Sequence, residues 1–159
     1  MTQLIDYMME PETALVFDID GVLAPYEFGE LRHSACPDEG WEEYVRTQDP
    51  YAHIRPVKLI QEMIEQKGPE RVFACSVAAS YELAGKRDFC LQEYGLAPEN
   101  VSIVAAKVEK IEFLHQVSQR LGLPTERVVL IEDTVKTLDM AMDAGFATAH
   151  VSSLFAFGE

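Results

Sequence analysis

Short apolar segments alternate with segments of helical periodicity along most of this chain. The strand-like segments are 14–17, 71–75, 101–105, 128–131 and 147–151, and the helix-like segments are 56–67, 81–94, 111–121 and 135–144. Alternation of this kind predicts a parallel sheet covered by helices on both faces. The run 128–131 is apolar throughout, which is typical of a central strand buried on both sides. The sequence therefore predicts an α/β fold in three layers, α/β/α.

Two carboxylates follow the first strand-like segment, in the sequence Asp18-Ile19-Asp20-Gly21. Residues i and i+2 of an extended chain point to the same side, so Asp18 and Asp20 are expected to approach one point. Two ionised carboxylates at close range repel each other, and either protonation of one or binding of a cation relieves that repulsion. Both outcomes suit phosphoryl-transfer chemistry.

Polar residues also lie at the ends of the other central segments. In an open parallel sheet, ligands bind beyond the carboxyl ends of the strands, where the strand order switches direction. The sequence therefore predicts that one rim of the sheet carries, besides the acid pair, the following residues: Ser76, Lys107, Lys110, Glu132 and Asp133.

In this order and spacing, these residues resemble the four signatures of the haloacid dehalogenase (HAD) superfamily of phosphotransferases. The resemblance covers residues 14–151 and implies a Rossmann-like HAD fold. It implies that Asp18 is the nucleophile, which forms an aspartyl-phosphate. It also implies that Asp20 protonates the leaving oxygen and later accepts a proton from the hydrolytic water.

The same resemblance implies a phosphate-binding set on the second and third signatures. Ser76 and the backbone amides of Val77 and Ala78 would hold the transferring phosphoryl group. A lysine would offset the charge of that group, and the sequence offers Lys110 or, alternatively, Lys107. Lys110 is preferred because its separation from the late acidic pair is similar to that in family members without a cap domain.

Magnesium is the cation that the resemblance implies, because Mg²⁺ prefers oxygen ligands and bridges carboxylates and phosphates. Its ligands would be Asp18, Asp133 and the backbone carbonyl of Asp20, with Glu132 nearby. The expected function is that of a magnesium-dependent phosphomonoester hydrolase, a phosphatase acting on a phosphorylated small molecule. Thr137 stands where the family often has Asp or Asn. The alternative is therefore a catalytically weak or inactive regulatory protein that binds metal and phosphate.

A chain of 159 residues predicts a single domain, 1–159. Residues 25–50 are too few for a full cap domain, so we expect a core without a cap and with an enlarged flap at about 25–50. An open site of this kind needs either a large substrate or a lid from a neighbouring subunit, and a homo-oligomer is one expectation. Within the flap, Trp41 and Tyr44 would form either a packing cluster with Phe28 or a platform for the substrate.

The net charge and the lengths of the apolar runs limit the classes of partner, and the cysteines indicate the cellular location. The formal net charge of −14 disfavours nucleic acid as a partner, since an acidic surface repels phosphate backbones. No apolar run reaches the roughly 18 residues that span a bilayer, so no membrane partner is expected. Three cysteines, Cys36, Cys75 and Cys90, have no metal-ligand spacing. We expect reduced thiols and a cytoplasmic protein.

Overall fold

The structure, a computed structural model, describes residues 3–25 and 38–157 of the chain. The strands are β1 (Ala14–Phe17), β2 (Val72–Val77), β3 (Val101–Val104), β4 (Val128–Glu132) and β5 (Ala147–His150). The α-helices are α1 (Gln3–Met9), α2 (Asp38–Gln48), α3 (Lys58–Lys67), α4 (Leu83–Tyr94), α5 (Lys107–Leu121) and α6 (Val135–Asp143). Among the described residues, no helix is both long enough and apolar enough to cross a bilayer.

All five strands form one parallel sheet in the order β3-β2-β1-β4-β5. Strand β1 is central, and Phe17 near its end lies beside Ala74 of β2 and Ile131 of β4. The chain proceeds from β1 outward to β3 and then returns to place β4 on the other side of β1. The strand order therefore switches between β1 and β4, and ligands bind at this point in open α/β sheets.

Two groups of buried side chains, one on each face of the sheet, form the core. Leu15 and Phe17 of β1 pack with apolar residues from α1, α3 and α4, whereas Ala14 and Val16 pack with those from α5 and α6. This division follows from the two-residue repeat of a strand, which sends alternate side chains to opposite faces. Burial of a large apolar side chain stabilises the fold by about 1.5–3 kcal/mol. The predicted three-layer α/β/α fold is confirmed.

Several elements begin or end at residues other than those predicted. Helix α5 begins at Lys107 and not at 111, because the Glu109 carboxylate accepts hydrogen bonds from the backbone N–H groups of Ala105 (2.9 Å) and Ala106 (2.7 Å). A carboxylate in this position caps the start of a helix. Lys107 is therefore the first residue of this helix.

Strands β2 and β4 are longer than predicted and include two of the candidate site residues. Ser76 is paired with Ile103 of β3, and Glu132 is paired with His150 of β5. Both side chains are therefore held by the sheet itself and do not lie in the loops that follow it.

The predicted flap at 25–50 is described only in part. Residues 26–37, which include Phe28 and Cys36, lie outside the described residues. In the described part, the Trp41 and Tyr44 rings of α2 lie 5.7 Å apart, and Trp41 Nε1 donates a hydrogen bond to Glu82 (3.0 Å). The single domain and the absence of a cap stay predictions.

Candidate active site

The loop after β1 brings Asp18 to the switch point of the sheet. The backbone N–H of Asp18 donates to the carbonyl of Ile131 in β4 (2.9 Å), so the sheet holds the main chain at this residue. Its side chain is buried, with 7% of the residue exposed. The chain then turns at Gly21, where φ is +79° and where a Cβ atom would lie 2.3 Å from Oδ2 of Asp133. Only glycine permits both this backbone conformation and this approach.

Lys110 forms hydrogen bonds with acidic residues from two distant parts of the chain. Its Nζ atom donates to Oδ1 of Asp18 (2.9 Å) and to Oε2 of Glu132 (2.8 Å). Burial lowers the pKa of this ammonium, but the charges of Asp18 and Glu132 and their hydrogen bonds outweigh burial and raise the pKa to about 12. Lys110 is therefore cationic at neutral pH. Lys107, the alternative lysine, is exposed and, like Asp18 and Lys110, lines a cavity at this end of the sheet.

Three carboxylates converge beside Lys110. Asp18, Glu132 and Asp133 each offer one oxygen, and these atoms lie within 4.8 Å of one another. Burial raises the pKa of Asp133, and a hydrogen bond with Glu132 and the charge of Glu132 raise it further. Crowding of this kind is relieved by a cation, and a set of carboxylate oxygens fits Mg²⁺. The donor set includes two of the predicted ligands, Asp18 and Asp133, and brings Glu132 directly beside them.

Asp20 points its carboxylate to a second lysine, Lys86 of α4. Lys86 Nζ donates to Oδ2 of Asp20 (2.6 Å) and to Oγ of Ser76 (2.9 Å), and the hydroxyl of Tyr51 donates to Oδ1 of Asp20 (2.8 Å). The Lys86 side chain is fully buried. Lys86 therefore binds Asp20 and Ser76, whereas Lys110 binds Asp18 and Glu132.

Sequence reasoning missed Lys86, Tyr51 and Glu82. A signal existed for Lys86, which lies four residues after Glu82 and three before Phe89, a spacing that puts all three on one helical face. A lysine on an apolar face, one turn from a glutamate, indicates a buried ion pair. No local pattern pointed to Tyr51, which follows Pro50 in a short 3-10 helix, Pro50–Ala52.

A cavity of about 260 Å³ opens at this end of the sheet. Pockets for drug-sized ligands hold about 300–1,000 Å³, so this cavity suits a small head group. It is lined by Asp18, Asp20, Ser76, Val77, Lys107, Lys110, Glu132, Asp133, Thr134 and Thr137.

Two backbone amides were expected to hold a phosphoryl group. Val77 lies at the cavity, but the backbone N–H of Ala78 donates to the carbonyl of Val104 (2.9 Å). The expectation for Ala78 is therefore wrong, because pairing with β3 already uses its N–H. Thr137 is buried and lies at the cavity.

Comparison with known protein families and with curated proteins finds no match. Among solved structures, a HAD family hydrolase from Deinococcus radiodurans R1, with bound phosphate and sodium, has a TM-score of 0.53 at 16% identity, over 93% of this chain and 89% of that one. DsGPDH of Dunaliella salina has a TM-score of 0.58 at 14% identity over 92% of this chain, which spans only 24% of that protein. This likeness shows the fold, and the predicted HAD-like fold is confirmed.

Proposed function

We propose that this protein is a phosphomonoester hydrolase that depends on a divalent cation and uses Asp18 as its nucleophile. The observation that carries this proposal is the position of Asp18. It lies at the switch point of a HAD-like sheet, at a cavity, hydrogen-bonded to Lys110 and within 4.8 Å of ligand oxygens from two further acids. The phosphate bound in the Deinococcus radiodurans hydrolase supports the proposal.

Transfer of the phosphoryl group from the ester to the enzyme needs a nucleophile, a cation to offset charge and a hydrogen-bond donor. A carboxylate oxygen of Asp18 attacks phosphorus while the ester P–O bond breaks, which gives an aspartyl-phosphate and an alcohol. Lys110 offsets the negative charge that gathers on the phosphoryl oxygens. Ser76 donates its hydroxyl hydrogen to one of these oxygens.

Asp20 handles the proton in both halves of the reaction. In the first half it gives a proton to the leaving oxygen, and in the second it takes a proton from the water that attacks the aspartyl-phosphate. The second half regenerates Asp18 and releases inorganic phosphate.

Mg²⁺ is the proposed cation. Asp18, Asp133 and the backbone carbonyl of Asp20 would hold it, with Glu132 beside them, and when bound it would neutralise charge on the phosphate. The donor atoms are all oxygens, which suits this ion better than a softer metal.

The proposed substrate is a phosphorylated small molecule, since the cavity suits a phosphate head group while the net charge of −14 opposes a polyanion. We further propose a cytoplasmic location and a core without a cap, so that the 25–50 segment or a second copy of the chain covers the bound substrate.

The second candidate function is that of a regulatory protein that binds metal and phosphate without turnover. The buried Thr137 favours it, because a hydroxyl at the cavity replaces the acid or amide that the family often has there. Such a protein would be stabilised against heat by Mg²⁺ yet hydrolyse no ester in a panel of sugar phosphates, nucleotides and phosphorylated acids.

The test is release of phosphate from p-nitrophenyl phosphate with Mg²⁺, with a chelator, and with Asp18→Asn. We expect the chelator to abolish turnover and Asp18→Asn to slow it by at least about 10³-fold, as loss of a nucleophile does. The matched control is Asp139→Asn, an exposed acid on α6 that should retain full activity. Equal rates for the wild type, the chelated sample and Asp18→Asn would refute the catalytic assignment.

A further inference from the structure

Lys86 connects two groups of the proposed active site without facing the substrate itself. Its Nζ atom lies 2.6 Å from Oδ2 of Asp20 and 2.9 Å from Oγ of Ser76. Among the described residues, those that line the cavity include Asp20 and Ser76 but not Lys86. Lys86 therefore contacts two residues that line the cavity without lining it itself.

The hydrogen bonds of Lys86 fix the orientation of both neighbours. An ammonium group donates and never accepts, so Oγ of Ser76 must accept from Lys86, and its own hydrogen is left to donate elsewhere. On the other side, Lys86 occupies Oδ2 of Asp20 while the Tyr51 hydroxyl occupies Oδ1. The two donors together set the rotation of the Asp20 carboxyl group.

Glu82 holds Lys86 in this position. Oε1 of Glu82 lies 3.7 Å from Lys86 Nζ and accepts a hydrogen bond from Trp41 Nε1 (3.0 Å). Oε2 of Glu82 accepts from the backbone N–H of Ala79 (2.9 Å). Because Glu82 is itself anchored by α2 and by the loop after β2, the ammonium group has little freedom to leave Asp20.

We propose that Lys86 is a positioning residue for phosphoryl transfer, which holds Asp20 toward the leaving oxygen and Ser76 toward the phosphoryl group. The inference rests on the proposed function, because it assigns Lys86 to the same reaction. The two ammonium groups then have different roles. Lys110 acts on the nucleophile and the phosphate, whereas Lys86 acts on the groups that handle the leaving oxygen and bind the phosphoryl oxygens.

The leaving group distinguishes this role from simple support of the fold. Phenyl phosphate and p-nitrophenyl phosphate have nearly the same shape, but phenolate leaves poorly without a proton whereas nitrophenolate leaves readily. The kcat/KM value reports the steps up to departure of the leaving group. Misplacement of Asp20 must therefore lower kcat/KM more for phenyl phosphate, while a loss of folded protein lowers both values equally.

The experiment compares kcat/KM for the two esters in the wild type, Lys86→Met, Asp20→Asn and the double variant. We expect Lys86→Met to lower the phenyl to nitrophenyl ratio about tenfold, a part of the 10²–10⁴ that a general acid supplies. The phenyl to nitrophenyl ratio of the double variant should be no lower than that of Asp20→Asn, because Lys86 acts on the leaving oxygen through Asp20, whereas its effect through Ser76 lowers both kcat/KM values alike. Lys58→Met, the same change at an exposed lysine of α3, is the matched control and should not change the ratio.

Removal of Lys86 leaves Glu82 without its cation and can prevent folding. In that case the variant Glu82→Gln/Lys86→Met, which leaves the net charge of the cluster unchanged, is judged by the same ratio. An unchanged phenyl to nitrophenyl ratio in Lys86→Met, or a ratio in the Asp20→Asn/Lys86→Met double variant that falls below that of Asp20→Asn, would overturn the inference alone. A wild-type protein that hydrolyses neither ester would overturn the proposed function and this inference with it.

Discussion

Gly21→Ala tests whether the turn after β1 fixes the position of Asp133. The new Cβ atom would lie 2.3 Å from Oδ2 of Asp133, so this carboxylate would have to move away by about 1 Å to reach ordinary contact. The side chain would also be placed at φ +79°, in the left-handed region that glycine alone adopts freely.

These two effects have separate magnitudes. The left-handed conformation costs a non-glycine residue about 1–2 kcal/mol, which lowers the melting temperature of a chain of this size by about 2–8 °C. Under the proposed function, displacement of Asp133 lowers activity, because a misplacement of about 1 Å in an active site can cost about 100-fold in rate. We therefore expect a modest loss of stability together with a large loss of activity.

Gly95→Ala and Gly122→Ala serve as controls, because they introduce the left-handed strain without displacing Asp133. Both glycines have positive φ values, +68° and +65°, and a Cβ atom on either would meet no atom within 4 Å. They should lose the same stability as Gly21→Ala but keep both phosphatase activity and the stabilisation of the protein by Mg²⁺. The assays are thermal unfolding with and without Mg²⁺ and hydrolysis of p-nitrophenyl phosphate. If Gly21→Ala matches these controls in activity and in its response to Mg²⁺, the contact with Asp133 has no functional role.

Three further predictions concern buried groups. Lys110→Met leaves Asp18 and Glu132 buried without their cation and should lower the free energy of unfolding, measured in urea, by about 3–5 kcal/mol. The control Lys107→Met, at an exposed lysine, should lower it by less than about 0.5 kcal/mol. Equal losses in the two variants would contradict the buried ion pairs of Lys110. The pKa of Lys110 is raised from 10.5 to about 12, so its charge contributes about 2 kcal/mol of stability that is complete below pH 10.5 and disappears as the pH rises through 12. Urea midpoints between pH 8 and 12 should show this loss in the wild type and not in Lys110→Met. Burial raises the pKa of both Cys75 and Cys90 to about 12. In a Cys36→Ser variant, thiol reagents at pH 8 should therefore label no cysteine until the protein unfolds, and rapid labelling of the folded protein would contradict this.

The fold was predictable because its determinants are local. The first four residues of β4, 128–131, form an unbroken apolar run. The buried face of α3 is marked by Ile60, Met63 and Ile64 at helical spacing. The start of α5 was not predictable from apolar periodicity, since it depends on the Glu109 side chain turning back to cap the helix. That cap decides which faces Lys107 and Lys110 occupy, and hence which lysine reaches Asp18.

The sequence predicts the site residues that directly follow a strand. It does not predict the contacts that these residues make with side chains from distant segments. Asp18 and Asp133 directly follow β1 and β4, which the topology brings together. The partners of Asp20 are 66 residues away at Lys86 and 31 residues away at Tyr51. Such contacts are set by the packing of α4 and of the 3-10 helix Pro50–Ala52 on the sheet, which no short sequence pattern encodes.

Under the proposed function, the balance of charge at the switch point predicts that phosphate binding depends on a cation. Two buried ammonium groups, Lys86 and Lys110, face a larger number of acids: Asp18, Asp20, Glu82, Glu132 and Asp133. A phosphate dianion that entered this site alone would meet an excess of negative charge inside a protein whose net charge is −14. A divalent ion among Asp18, Glu132 and Asp133, together with Lys110, offsets the negative charges of these three acids. Inorganic phosphate should therefore raise the melting temperature only when Mg²⁺ is present, and stabilisation of equal size in the presence of a chelator would contradict the assignment of the acids as a cation site.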